Sequence, residues 1–177
     1  GPAYRRRPVH IYTQQEINAL MEAAGNLGGL RGATFQTLLG LLACTGLRIG
    51  EALRLEERDI DWTRSLLTIR HSKSGRSRCL PLHDSTLARL RVYQQERRRY
   101  LAHKDAARFF RGAYGRALSY AVAALTFRSL CRQLGWIGHP VPRLHDLRHT
   151  FAVDGLILWH RQQQDIHQKV LALATYL

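Results

Sequence analysis

T-G-L-R-I-G-E, residues 45–51, and H-D-L-R-H, residues 145–149, decide how this chain is read, because each sets an arginine, Arg48 or Arg148, at or within the first turn of an expected helix. Between them Lys73 stands in H-S-K-S-G-R-S-R, residues 71–78. A guanidinium keeps its proton and grips phosphate oxygens with a planar fork, whereas an ammonium can carry charge and also release a proton. Two fixed cations and one mobile proton suit chemistry on a phosphodiester.

Working outward from Arg48, the flanking pattern is helical. Thr13 and Glu16 have capping-box spacing, and Ile17, Leu20, Met21 and Ala24 then recur at helical intervals, which predicts a helix over 14–25. Gly25, Gly28 and Gly29 interrupt it, and Phe35, Leu38, Leu39 and Leu42 form a core stripe ending near Thr45-Gly46. A short helix beginning at Arg48 leaves Ala52, Leu53 and Leu55 for the core. The period then changes, and 59–62, 66–70 and 76–82 predict a small three-stranded antiparallel sheet whose second turn, 72–75, projects Lys73. Beyond it, helices are expected from Asp84 to about Tyr100, over 118–134, over 145–160 and over 165–177. In the first of these Leu87 and Leu90 face inward and Arg97, Arg98 and Arg99 form a solvated end, followed by a polar, basic loop; residues 135–143 connect the next two. The fold class is α+β, mainly α, in one domain over 3–177, with Gly1-Pro2 read as a cleavage scar and no internal repeat.

Composition narrows the partners. Of 177 residues, 27 are Lys or Arg and 13 Asp or Glu, giving a net charge of +14 and a pI near 10.8. On a chain that is 45% apolar, and so able to fill a core, this excess points first to nucleic acid and only then to acidic membranes. No apolar stretch is long enough for a bilayer and no signal-peptide layout opens the chain, so a cytoplasmic, DNA-associated location without a membrane partner is expected. Cys44, Cys79 and Cys131 contain no C-x-x-C, which predicts reduced, mostly buried thiols rather than a disulfide framework or zinc ribbon.

Attack on a phosphodiester gathers charge on the nonbridging oxygens, and fixed donors aimed there lower the barrier without metal or cofactor. Arg48 and Arg148 are the candidates, with Lys73 to protonate the leaving hydroxyl, His145 to hold an oxygen or move a proton, and Glu51, at i+3, to orient Arg48. Arg76 and Arg78, next to the turn, are candidates for DNA-backbone contact. His145 and His149 with Asp146 between them superficially echo a zinc helix, but Arg148 beside the metal and a short Asp argue against that.

T-G-L-R-I-G-E, the turn lysine and H-D-L-R-H-T-F-A together resemble the catalytic domain of the tyrosine recombinases, the phage-integrase family, over nearly the whole chain. The resemblance implies site-specific DNA recombination through a 3′-phosphotyrosyl link, without ATP or divalent cation, by a bacterial or phage protein that assembles as a tetramer on two duplex sites. It gives Arg48 and Arg148 the two arginine roles, Lys73 the lysine role, His145 the first histidine role and Glu51 the supporting acid role, and it puts His149 at a position that is often histidine, in a packing or supporting role. It also implies an N-terminal DNA-clasping domain and, after the last helix, an L-G-H segment and the nucleophilic tyrosine. L-A-T-Y-L, residues 173–177, resembles the stretch just before that segment, so Tyr176 is not expected to be the nucleophile. Val170, Leu173, Ala174 and Leu177 form an apolar stripe still in register at the last residue, which suggests a helix that should continue. The expectation is a catalytic domain lacking both flanking parts, with no nucleophile of its own and inactive alone. The competing expectation is a non-catalytic DNA-binding or regulatory module on the same fold; a helix-turn-helix regulator would need a base-reading second helix that the pattern does not offer.

Overall fold

A computed structural model describes residues 8–70, 77–101, 107–138 and 141–162. Lys73 and Arg76, the expected helix over 165–177 and Tyr176 lie outside the described residues.

Helix α1, Gln14–Gly25, starts on the expected reciprocal cap: Thr13 Oγ1 accepts from the Glu16 amide at 3.1 Å and Glu16 Oε2 accepts from the Thr13 amide at 2.7 Å. Helix α2, Gly29–Thr45, buries Leu30, Leu38, Leu41 and Leu42 on more than one side, because α1, the later helix α4 (Asp84–Leu101) and the last described helix α6 (Leu144–Arg161) all pack against it. An apolar stripe in the sequence has therefore become the central rod of the domain. Helix α3, Ile49–Arg54, follows directly, with Arg48 as its cap residue.

Strands β1 (Ile60–Asp61), β2 (Leu66–Ile69) and β3 (Arg78–Pro81) form the three-stranded antiparallel sheet in sequence order. Ile60 pairs with Leu67, Leu67 with Leu80, and Ile69 with Arg78. Leu67, Ile69 and Leu80 are buried, so one face closes the core and alternation sends the intervening side chains outward.

Two expectations fail in and after α4. Leu87, Leu90, Tyr93 and Arg97 lie on one buried stripe, so Arg97 points inward rather than joining Arg98 and Arg99 in solvent. Its guanidinium donates to the Phe109 carbonyl at 2.7 Å, pairs with Glu57 and stacks over the Phe109 ring at 5.3 Å. The segment after α4, expected to be polar and basic, inserts Phe109 and Phe110, each 0% exposed, against Tyr93. Charged neighbours in the sequence hid this aromatic plug, because two adjacent apolar residues carry no period.

Helix α5, Tyr120–Gln133, begins two residues later than expected because Ser119 caps it, its Oγ accepting from the Val122 amide at 3.3 Å. The thiol expectation is corrected as well: Cys131 is buried, but Cys44 and Cys79 are exposed, since they fall on the outward faces of α2 and β3. Among the described residues no helix is long and apolar enough to cross a membrane.

Candidate functional site

The site is built where the turn after α2 meets the first turns of α6. Gly46 ends α2 in the left-handed conformation, φ 63°, which lets the chain reverse into Arg48. A Cβ at Gly46 would stand 2.4 Å from the Phe151 ring, so only a glycine lets α6 come this close. Arg148, one turn before Phe151 and only 6% exposed, donates from Nη1 to the Gly46 carbonyl. This hydrogen bond and the close approach of Phe151 to Gly46 fasten the two arginine motifs together.

Arg48 sits at the N-terminus of α3 with 38% of its side chain exposed. Behind it, Glu51 is 4% exposed and accepts four donors. Oε2 takes the Arg48 amide at 3.0 Å and Arg78 Nη2 at 3.0 Å; Oε1 takes Arg48 Nη1 at 3.4 Å and Arg78 Nη1 at 3.0 Å. Burial pushes the Glu51 carboxyl up, but the Arg78 and Arg48 hydrogen bonds and their charges outweigh it and hold the group below the usual glutamate value. A second buried carboxylate, Asp59, pairs with Arg70 at the end of β2. The end of β2 and the start of β3 are therefore both tied to carboxylates.

His145 is exposed in the first turn of α6, and its ring meets the His149 ring edge-on with centroids 4.7 Å apart. Partial burial lowers the His145 pKa, and the neighbouring His149, Arg148 and Arg143 charges lower it further against the opposing pull of Asp146. His145 opens onto a cleft of about 680 Å³ shared with Ile49, Tyr120, Ala124, Arg128 and Arg143. Ile49 follows Arg48 directly, so this cleft adjoins both motifs.

Sequence reasoning missed the supports of α6. Asp146 is fully buried and accepts from the Arg143 amide at 2.9 Å and from Arg143 Nη2 at 2.8 Å, capping the helix at its third position. Tyr12 straps the same end: its hydroxyl donates to the Arg143 carbonyl at 3.0 Å, and its amide donates to Thr150 Oγ1 at 2.9 Å. An Asp early in a helix after a proline-containing connector was the available signal for the first. Nothing in the sequence announces the second. Among the described residues no group of three or more His, Cys, Asp or Glu converges as metal ligands.

The arrangement can present fixed positive charge and a titratable imidazole to an anion at the edge of the cleft, with each arginine braced from behind by an acceptor.

Residues 11–157 match the model of the phage integrase family. A protein of Sinorhizobium fredii described as an integrase/recombinase, y4rB, is 39% identical over 183 residues, covering 98% of this chain and 58% of that protein. The crystal structure of XerA recombinase superposes with a TM-score of 0.69 at 24% identity, covering 88% of this chain and 53% of the other. XerH site-specific recombinase, in a post-cleavage complex with its difH substrate, gives a TM-score of 0.68 at 21% identity over 92% of this chain and 45% of the other. The chain thus spans a little over half the length of the S. fredii relative.

Proposed function

The chain belongs to the phage integrase family, the tyrosine recombinases, and from that premise we propose that it holds the phosphate-activating centre of a site-specific DNA recombinase. The reaction is transesterification: a tyrosine hydroxyl releases its proton to a neighbouring base as its oxygen attacks the scissile phosphorus, a 3′-phosphotyrosyl bond forms while the phosphorus–O5′ bond breaks, and the leaving sugar oxygen takes up a proton. Arg48 and Arg148 neutralise the nonbridging oxygens, and this fixed charge does the work a metal would otherwise do. His145, its pKa held below the ordinary histidine value by burial and the neighbouring charges, is suited to hold an oxygen or pass a proton. Lys73 protonates the leaving oxygen, Glu51 holds Arg48, and His149 packs against His145.

The observation that carries this reading is the hydrogen bond from Arg148 to Gly46, two residues before Arg48, beside the cleft that His145 lines. Of the described tyrosines, Tyr12 and Tyr93 do not fit the nucleophile: burial raises the pKa of both, and their hydroxyls are engaged with Arg143 in one case and with Thr34 and the Arg111 amide in the other. The partner is duplex DNA, consistent with the net charge of +14, and the working assembly is a tetramer on two sites. The test is a nicked suicide substrate, drawn from DNA flanking the gene and offered to the complete gene product in EDTA. A covalent protein–DNA adduct is expected. Tight, salt-sensitive binding with no adduct would replace this reading with a non-catalytic DNA-binding module.

A further inference from the structure

We infer that Arg78 is a positioning residue that acts through Glu51 on Arg48, and not a contact to the DNA backbone; the inference rests on the recombinase reading only for what Arg48 does. Arg78 and Glu51 make a bidentate pair, Nη1 to Oε1 and Nη2 to Oε2 at 3.0 Å each, the pattern of a fork-to-fork guanidinium–carboxylate contact, with the Arg78 side chain 19% exposed and that of Glu51 2% exposed. Such a pair fixes the plane of the carboxylate as well as its distance. The same two oxygens receive the Arg48 amide and guanidinium, so the plane set by Arg78 sets where Arg48 starts α3 and where its side chain leans.

The longer contact is the one to Arg48, 3.4 Å against 3.0 Å for Arg78. Arg78 therefore supplies the stronger grip, and Arg48 is the partner whose side chain stays more exposed. The pairing also joins two elements. Arg78 opens β3 and is registered against Ile69 of β2, while Glu51 belongs to α3, so the sheet and the arginine-bearing helix are held in one register. Moving Arg78 to a phosphate would leave a buried carboxylate with a single weak side-chain partner, an arrangement proteins avoid.

Three measurements test this on Arg78→Gln, Arg78→Lys, Glu51→Gln and the Arg78→Gln/Glu51→Gln pair. In DNA binding by this chain, the slope of log K against log salt stays unchanged in Arg78→Gln; a slope smaller by about 0.9, one phosphate contact, overturns the inference. In the complete gene product, the rate of adduct formation falls on the order of tenfold to a hundredfold in Arg78→Gln while DNA affinity holds within about twofold, the signature of a displaced catalytic group. Arg78→Lys keeps the charge without the fork and stays impaired, and the double variant is no slower than either single one; full rescue by lysine, or multiplying defects, overturns the inference. The carboxyl resonance of Glu51 titrates at higher pH in Arg78→Lys, and an unmoved titration likewise sinks it. Absence of any adduct in the wild type strikes the recombinase reading alone, because the salt slope and the carboxyl titration report on Arg78 without cleavage.

Discussion

Arg148 donates a hydrogen bond from Nη1 to the main-chain carbonyl of Gly46, a residue 102 positions earlier in the chain. The acceptor is main chain, so no substitution at position 46 removes it directly. What a substitution changes is the backbone conformation that aims the carbonyl. The left-handed turn, the Phe151 ring and the buried guanidinium form one joint, and the position of Arg48 depends on it.

Gly46→Ala tests the joint. A side chain in the left-handed region costs about 1–2 kcal/mol, and a Cβ at 2.4 Å from Phe151 forces a shift worth about 1–3 kcal/mol more. Urea unfolding should show a loss of about 2–5 kcal/mol. Adding Phe151→Ala removes the obstructing ring, so the double variant should lose less than the sum of the singles. Strict additivity would mean the ring and the turn are not in contact.

Arg97 and Arg99 make a matched pair of substitutions within one charged run. Arg97→Ala removes a buried guanidinium that holds Glu57 and the Phe109 carbonyl, at a cost of about 2 kcal/mol or more, whereas Arg99→Ala at an exposed position should stay within about 0.5 kcal/mol. Equal effects at the two sites, read by thermal or urea unfolding, would contradict the inward orientation of Arg97.

That contrast shows which parts of the structure could be read in advance. The capping box at Thr13, the change from helical to alternating period after Leu55, and the arginine at the start of α3 are local signals, set by hydrogen-bonding groups within a few residues of one another. Arg97, Phe109 and Phe110 are decided by what arrives from elsewhere in the chain: Glu57 in one case, Tyr93 in the others. A charged run in a helix looks solvated until a distant carboxylate is known to sit beneath one member. For the candidate site, Arg48, Glu51 and Arg148 stand out as candidates in the sequence because each lies in a distinctive run, while the Arg78 partnership and the Tyr12 strap join segments 27 and 131 residues apart and leave no periodic trace.

The Glu51 carboxyl gives a pH prediction. Its folded-state pKa lies below the ordinary 4.5, so the unfolded state binds its proton first as pH falls. The associated stability is present above pH 4.5 and is lost as pH drops through the lower folded-state value. Glu51→Gln should therefore cost about 3 kcal/mol at pH 7, and the gap to wild type should narrow steadily below pH 4.5. Urea titrations of both proteins from pH 7 to pH 3 measure it. A gap that stays constant would show that the carboxylate gains nothing from its arginines.

His145 carries a second titration. Its pKa lies below the ordinary 6.5, with burial as the leading cause and the neighbouring His149 ring and arginine charges adding to it. The ring contact at 4.7 Å makes His149 the removable part of that environment. His149→Gln should raise the His145 midpoint, seen by its imidazole resonance in NMR, without bringing it to the ordinary value, because burial and Arg148 remain. An unmoved midpoint would show that the two rings do not share charge.

Arg48→Ala in the complete gene product separates transition-state stabilisation from binding. Loss of one fixed donor to the developing charge costs about 3 kcal/mol in other active sites, which corresponds to a rate of adduct formation lower by about two orders of magnitude. On the proposed reading DNA affinity should fall much less, since the substitution removes one positive charge from a chain whose net charge is +14. Arg48→Lys restores the charge but not the fork, so it should recover affinity before it recovers rate. An Arg48→Ala protein that cleaves at nearly the wild-type rate would remove Arg48 from the chemistry, and Glu51 and Arg78 would then be bracing an ordinary surface arginine.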